Sequence, residues 1–396
     1  LVSIISYSQS EEIDSLKKAN VYRGDIVITH RGTLGQVAYI PWNSEFERYV
    51  ISQSQFKIRL KEYIVDPVYF TYYFHTSEGQ KRLLSFKNHV GVPALAQATT
   101  NFRLLDFPLV PIEIQKKIAN VLSDLDAKID LNNKINAELE SMAKLIYDYW
   151  FVQFDFPMSK EDAERMGMPE LEGQPYKASG GKMVWNEELK RKIPEGWGCE
   201  KLDFIADIIG GSTPSKSDSD NFTQREGTPW ITPKDLSENK GKKFISCGEW
   251  NVTNQGIKSA SLKLLPPGTV LLSSRAPIGY LAICRIDTTT NQGFKSFVPK
   301  NNFSTEFIYH SISKMIPIIE ANSSGSTFKE VSSSTLKGLS MVVPDSKILD
   351  KHQEIIKPIF NKQDLLEQEN QKLTELRDWL LPMLMNGQVT IIFSNE

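Results

Sequence analysis

The segment VITHRGTLGQVAYI (Val27–Ile40) and the segment LLSSRAPIGYLAIC (Leu271–Cys284) share one plan. Each is an apolar run, an Arg, a small turn ending in Gly, and a second apolar run. Arg31 and Arg275 stand 244 positions apart. A repeat of this kind constrains the fold more than any other feature, because whatever one copy builds the other must build again. The likeness continues downstream. ISQSQFKI (Ile51–Ile58) faces TTNQGFKS (Thr289–Ser296), which aligns Phe56-Lys57 with Phe294-Lys295. RLLDFPLVP ends at Pro111 and LKGLSMVVP at Pro344, each followed by a polar stretch containing Gln115 or Gln353 and then a long helical pattern. The repeating unit is therefore a strand-rich block, a Pro-terminated strand and a helix.

The copies differ in length. Arg275 lies 81 residues beyond Pro194, but Arg31 lies only 30 beyond Leu1. The first block lacks counterparts of Gly210–Pro214 and Pro229–Leu236. A start at Leu rather than Met suggests trimming or a fragment; a naturally shortened block is the other reading.

The helical patterns step by four and three, as a heptad seam does. The first runs through Ile118, Leu122, Leu125, Ile129, Asn132, Asn136, Leu139, Ala143, Ile146 and Trp150. The second runs through Ile355, Ile359, Lys362, Leu366, Glu369, Leu373, Leu376, Leu380 and Met383, turning polar near its middle as the first does. Polar seam positions lower stability and fix register and partner. Two such helices in one chain predict an intramolecular antiparallel coiled coil; amphipathic helices packed on their own blocks are the alternative. A helix from Ile118 to Trp150 spans about 50 Å at ~1.5 Å per residue. That exceeds one turn of B-DNA, about 35 Å. The expected architecture is α+β: two mixed α/β domains separated by two long helices that form an antiparallel coiled coil, with a pseudo-two-fold internal repeat. Its segments are 1–111, 112–150, a linker at 151–193, 194–344, and 345–396.

Composition leaves several function classes without support. The three cysteines form no C-x-x-C pair, and the five histidines have no metal-ligand spacing. This predicts a reducing, cytoplasmic setting and no metal site. No run of 18 apolar residues occurs, and the N-terminal segment lacks a signal-peptide pattern. There is no G-x-S-x-G, no P-loop and no Asp/Asn-Pro-Pro-aromatic tetrapeptide, so no catalytic site is expected. PDSK at Pro344–Lys347 reads as the turn into the second helix. The blocks 1–111 and 194–344 carry 12 basic against 10 acidic and 16 against 14 residues. That slight excess leaves a polyanion partner open.

Candidate contacts lie in polar loops. Asn and Gln suit adenine, Arg and Lys suit guanine or phosphate, and Ser and Thr suit either. In the first block they are Arg31, Thr33, Gln53, Ser54 and Lys57. In the second they are Ser212, Thr213, Lys216, Lys234, Arg275, Asn291, Gln292, Lys295, Thr327 and Lys329. Each has a plain alternative: Ser/Gly loops are also merely solvated, and either Arg can brace its turn.

The combination resembles the specificity subunit of type I restriction–modification systems. The residues that carry the resemblance are LLPPGTVLLSSRAPIG, GGSTPS, PWITPKDL, the Pro-led entries to both helices, and LIYDYWFVQFDFP leading to IPEGW. Each motif is loose alone; their order and duplication are specific. The resemblance implies a double-stranded DNA-binding, non-catalytic subunit whose two recognition domains each read half of a split site. It implies methyltransferase and restriction–motor subunits as partners. It places S-adenosylmethionine on the methyltransferase, and ATP and Mg²⁺ on the motor subunit. An enzyme with an unrecognised site and a scaffold that never touches DNA are the rival classes.

Overall fold

The computed structural model describes residues 19–87, 93–275, 277–324 and 329–389. The chain divides into two compact units. Unit 1 comprises Leu1–Leu131 with Glu369–Glu396, and unit 2 comprises Asn132–Gln368. Both long helices are shared out between them: α1 (Ile112–Tyr147) and α2 (Ser346–Met385).

Unit 1 carries a three-stranded antiparallel sheet of β1 (Asp25–Thr29), β2 (Val37–Tyr39) and β3 (Gln55–Arg59), in the order β2-β1-β3. One sheet face gives Ile26, Ile28 and Val37 to a core with Tyr69, Phe70, Tyr73 and Phe74. These aromatics come from the helix Pro67–His75, which Asp66 caps by accepting from the Val68 and Tyr69 amides. Ile118 and Leu122 of α1 close the same core with Leu381, Leu384 and Met385 of α2.

Unit 2 carries a five-stranded sheet of β4 (Ala206–Gly210), β5 (Phe244–Ile245), β6 (Val270–Ser273), β7 (Leu281–Cys284) and β8 (Phe294–Pro299). Their order is β5-β7-β6-β8-β4, with only β5 and β7 parallel. A second, four-stranded sheet holds Thr228–Ile231. Strand β6 is buried on both faces, as its apolar run requires, and so are Phe294–Phe297 of β8. Among the described residues of unit 1, no strand occupies the place of β4 or β5.

The hairpin β1–β2 and the hairpin β6–β7 are the same object. Ile28 pairs with Val37 and Leu272 with Leu281; Ile26 pairs with Tyr39 and Val270 with Ile283. Gly24 and Gly268 enter the strands at φ +87° and +84°, and Gly35 and Gly279 leave the turns at +85° and +101°. Those left-handed angles explain why glycine recurs at both places. All these pairs keep the 244-residue offset. The third strand does not: Ile28 pairs with Phe56 but Leu272 with Lys295, an offset of 239.

This overturns the alignment of the two Phe-Lys pairs. Phe56 is the counterpart of Lys295, and Lys57 that of Ser296. The sequence match was one residue out of register, which on a strand exchanges the two faces.

Within each unit α1 and α2 run antiparallel. In unit 1, Asp126 pairs with Arg377 and Lys128 with Glu369. In unit 2, the Gln363 amide donates to Asn136 O and to Glu140. On α1, Ile118, Leu122, Asn132 and Ala143 are buried, as is Trp150 in the π-helical turn that follows it (Asp148–Val152), and Leu125, Ile129, Leu139 and Ile146 are half-buried on the same side. On α2 the expected seam needs correction. Ile355 and Leu376 are exposed, and so is Lys362. Ile348, His352, Ile356, Phe360, Gln363, Glu367 and Asn370 are buried instead. In its first half α2 packs on the β-rich block as well as on α1, so its buried face follows the helical period of 3.6 rather than a heptad. Ile359, Leu373 and Leu380 are half-buried and Leu366 is buried.

The segment after α1 packs into the core of unit 2. Phe151, Phe154, Phe156, Met158 and Tyr176 join Trp197 and Phe307 in the main cluster of unit 2. Phe156 stacks on Tyr176 and on Trp197. Among the described residues no helix is long and apolar enough to cross a membrane.

Candidate nucleic-acid interface

In unit 2 the loop leaving β4 lies against the turn that enters β8. The Ser212 amide donates to Thr290 O at 3.0 Å, and the Trp230 indole donates to Ser212 O at 3.1 Å. The Thr213 hydroxyl donates to the Gln292 side chain. Asn291 Oδ1 accepts from the Gly293 amide at 2.9 Å and so closes its own turn. Gly211 permits the approach: a Cβ there would lie within 3.0 Å of the carbonyl oxygens of Thr290 and Asn291. Four expected site residues, Ser212, Thr213, Asn291 and Gln292, thus form one polar patch from two segments far apart in sequence.

Lys216 is exposed on the same loop. It lines a cavity of about 300 Å³ with Asp218, Ser219, Phe222, Trp230 and Trp250. Lys234 is exposed, but its ammonium pairs with Glu249 at 2.7 Å. Lys329 is exposed, and Thr327 lies outside the described residues. Lys295 is buried, with its ammonium 3.6 Å from Glu330 and 3.4 Å from Ser274 Oγ, so it does not project from the surface. Burial lowers its pKa and the nearby Glu330 pulls it back up. The first four residues of β8 are buried on both faces, and the register above puts Lys295 in the place that Phe56 takes in unit 1.

Arg31 and Arg275 sit in matching frames. His30 N donates to Ser54 O and Ser274 N to Gly293 O; Leu95 N donates to His30 O and Val331 N to Ser274 O, all at 2.7–3.0 Å. Arg31 bridges Ala94 and Arg275 bridges Glu330 through the backbone. The side chains differ. Arg275 Nε is 3.0 Å from Glu330, whereas exposed Arg31 has no acidic partner among the described residues. Thr33 and Gln53 are exposed, and Ser54 shares a 2.6 Å hydroxyl contact with Ser52. Lys57 is exposed but donates to Asn20 O at 2.5 Å and lies over the Tyr22 ring.

The β-rich block of unit 2 is fixed to both helices by charges that sequence reasoning passed over. Lys243 Nζ is buried, 2.5 Å from Glu140 of α1 and 2.7 Å from Gln363 Oε1 of α2, and it lies 3.5 Å from the centre of the Phe360 ring. Glu367 accepts from the Lys243 and Phe244 amides and from Arg285, which also pairs with Asp364. Burial would raise the Glu140 carboxyl; the Lys243 ammonium and the hydrogen bonds from Lys243 and Gln363 outweigh it and hold it below its usual range. Nothing in "GKKF" marks Lys243 off from its neighbours. Glu330 likewise stands in an ordinary polar loop.

Comparison with known proteins places this geometry. The family model described as the type I restriction modification DNA specificity domain matches residues 3–141 and 194–375. The type I restriction enzyme MjaIX specificity subunit of Methanocaldococcus jannaschii is 37% identical over 222 residues, 54% of this chain and 50% of that protein. In that match, the chain spans about half of its relative's length. The HindI specificity subunit of Haemophilus influenzae is 26% identical over 421 residues, 96% of this chain and 90% of that one. The crystal structure of a type I restriction–modification S subunit from M. genitalium has the same fold. Its TM-score is 0.56 at 14% identity, with 96% of this chain and 86% of that chain covered. The matched blocks coincide with the two copies of the hairpin frame and their helices, and on that basis the chain belongs to the type I restriction modification DNA specificity domain family.

Proposed function

We propose that this chain, as the non-catalytic DNA specificity subunit of a type I restriction–modification system, reads a split duplex site. Each recognition domain takes one half, and the paired helices set the gap and dock methyltransferase subunits. The observation that supports this most is the equivalence of the frames around Arg31 and Arg275. Two copies of one backbone arrangement suit two half-sites of one target. In the second domain, Ser212, Thr213, Asn291 and Gln292 supply donors and acceptors for base edges, and Lys216 and Lys329 supply phosphate contacts. In the first, Arg31, Thr33, Gln53 and Ser54 take these roles. S-adenosylmethionine is assigned to the methyltransferase subunit, and ATP and Mg²⁺ to the restriction–motor subunit.

The test is selection from a randomised duplex pool by the full chain with its genomic-neighbour methyltransferase. Two defined half-sites around a fixed gap are the expected result. One contiguous half-site would remove the first domain from the reading. No enrichment would replace it with a scaffold role.

A further inference from the structure

Two cations share one carboxylate at the edge of the second domain. Arg275 Nε is 3.0 Å from Glu330 Oε2, and Lys295 Nζ is 3.6 Å from Glu330 Oε1. The cluster keeps a net positive charge. The Arg275 and Glu330 side chains are 45% and 38% exposed, whereas Lys295 is almost enclosed. An ion pair this open to water is weak as a structural brace, because solvent screens it and both side chains lose freedom by holding it. A carboxylate and a phosphodiester each present paired oxygens that suit a guanidinium fork.

The internal repeat provides a comparison within the same molecule. At the matching place in the first domain the bridge partner of Arg31 is Ala94, and the strand partner of Ile28 is Phe56. Among the described residues, that domain therefore has the Arg without the carboxylate and without the second cation at the matching places. The frame closes in both domains, so the Glu330 pair is not required to build it. It is an addition to the second copy.

We propose that the Glu330 carboxylate occupies the place of a DNA backbone phosphate between Arg275 and Lys295, and that duplex binding exchanges it for that phosphate. The inference rests on the specificity-subunit reading and adds a control to it: the second domain engages the backbone only after displacing its own anion. The first domain, with Arg31 open, engages without that step. The built-in competitor weakens non-specific contacts, which rely on phosphates alone, more than it weakens a cognate site with base contacts to offset it.

The experiment measures binding of the full chain, with its methyltransferase subunits, to a labelled mixed-sequence duplex across a potassium chloride series. Glu330→Gln keeps the shape and removes the charge. It should bind several-fold tighter, with a salt slope steeper by about one phosphate contact. Arg275→Gln should flatten the slope by about one. Ala94→Glu, which installs the carboxylate beside Arg31, should weaken binding. Unchanged or weaker binding by folded Glu330→Gln overturns the proposal. So does unfolding of both Glu330→Gln and Glu330→Ala, which would make the carboxylate a brace. Those outcomes leave the specificity reading intact if the wild-type complex binds duplex; a wild-type complex that binds none ends both.

Discussion

The Lys243 ammonium sits 2.5 Å from the Glu140 carboxylate, and it reaches there from the β-rich block of unit 2 to a long helix. With Gln363 as a third partner, this contact joins one recognition block to α1 and α2 at once. Lys243→Met should lower the stability of unit 2 by about 2–3 kcal/mol. That is less than the roughly 3–5 kcal/mol for breaking a fully buried pair, because Glu140 keeps some access to water. Adding Glu140→Gln should restore part of the loss. Urea unfolding of both single variants and the double variant gives the coupling, and strict additivity would show that the pair does not act as one.

Gly211→Ala isolates the polar patch. The new Cβ would meet the backbone oxygens of Thr290 and Asn291, which cannot swing aside as a side chain can. We expect the Ser212–Thr213 loop to lift from Gln292, at about 1–3 kcal/mol of stability. Binding of the selected duplex should fall much further than the melting temperature does. Equal binding by the variant would remove this patch from the interface.

The register of the third strand has its own test. Ser296 is fully buried and Lys57 is exposed, although the two are counterparts. Ser296→Lys should be severely destabilising, since its ammonium has no route to water. Lys57→Ser should cost about 1 kcal/mol, the hydrogen bond to Asn20 O being its main loss. Comparable melting temperatures for the two variants would contradict the one-residue shift.

Acid should weaken unit 2 through two histidines. Burial lowers His352 to about 3, with the neighbouring His310 adding to the effect. Burial followed by the Lys243 charge lowers His310 to about 4. Both ring nitrogens of His352 lack a hydrogen-bond partner among the described residues, and its ring packs on Phe151 and Trp150. Both rings are neutral in the fold and protonate near pH 6.5 once unfolded. The unfolded chain therefore binds more protons between about pH 6.5 and 4, and stability falls as pH drops through that window. The slope approaches about 1.4 kcal/mol per pH unit for each histidine. Urea midpoints of wild type and His352→Leu from neutral to mildly acidic pH measure it. An equal slope in the variant would clear His352 of the effect.

What the sequence disclosed depended on whether a residue type answers to a local or a distant demand. The hairpin repeat was legible because glycine at a left-handed turn is a local backbone requirement, met by Gly35 and Gly279 alike. The seam of α1 was legible because the face of a helix against one partner is periodic. The seam of α2 was misplaced at Ile355 and Leu376 because that helix serves two neighbours with different periods. The Phe-Lys alignment failed for a related reason. Two short matching residues cannot fix a strand register when the preceding connection has changed length by five residues, the fall in offset from 244 to 239. The buried charges Lys243, Arg285 and Glu367 gave no signal, since each pairs across more than 75 residues of chain.

The division of the helices also sets an order of synthesis. Unit 2 is one uninterrupted stretch, Asn132–Gln368, and has its partners in hand as soon as that stretch has left the ribosome. Unit 1 begins earlier but finishes later. Tyr69, Phe74, Ile118 and Leu122 must wait for Leu381, Leu384 and Met385 before their core is closed. During translation the first-made block therefore stands with an open apolar face while the second-made one folds. The block begun first becomes the block completed last, and a released chain cut back to Gln368 should still protect unit 2 from protease while leaving unit 1 open to it.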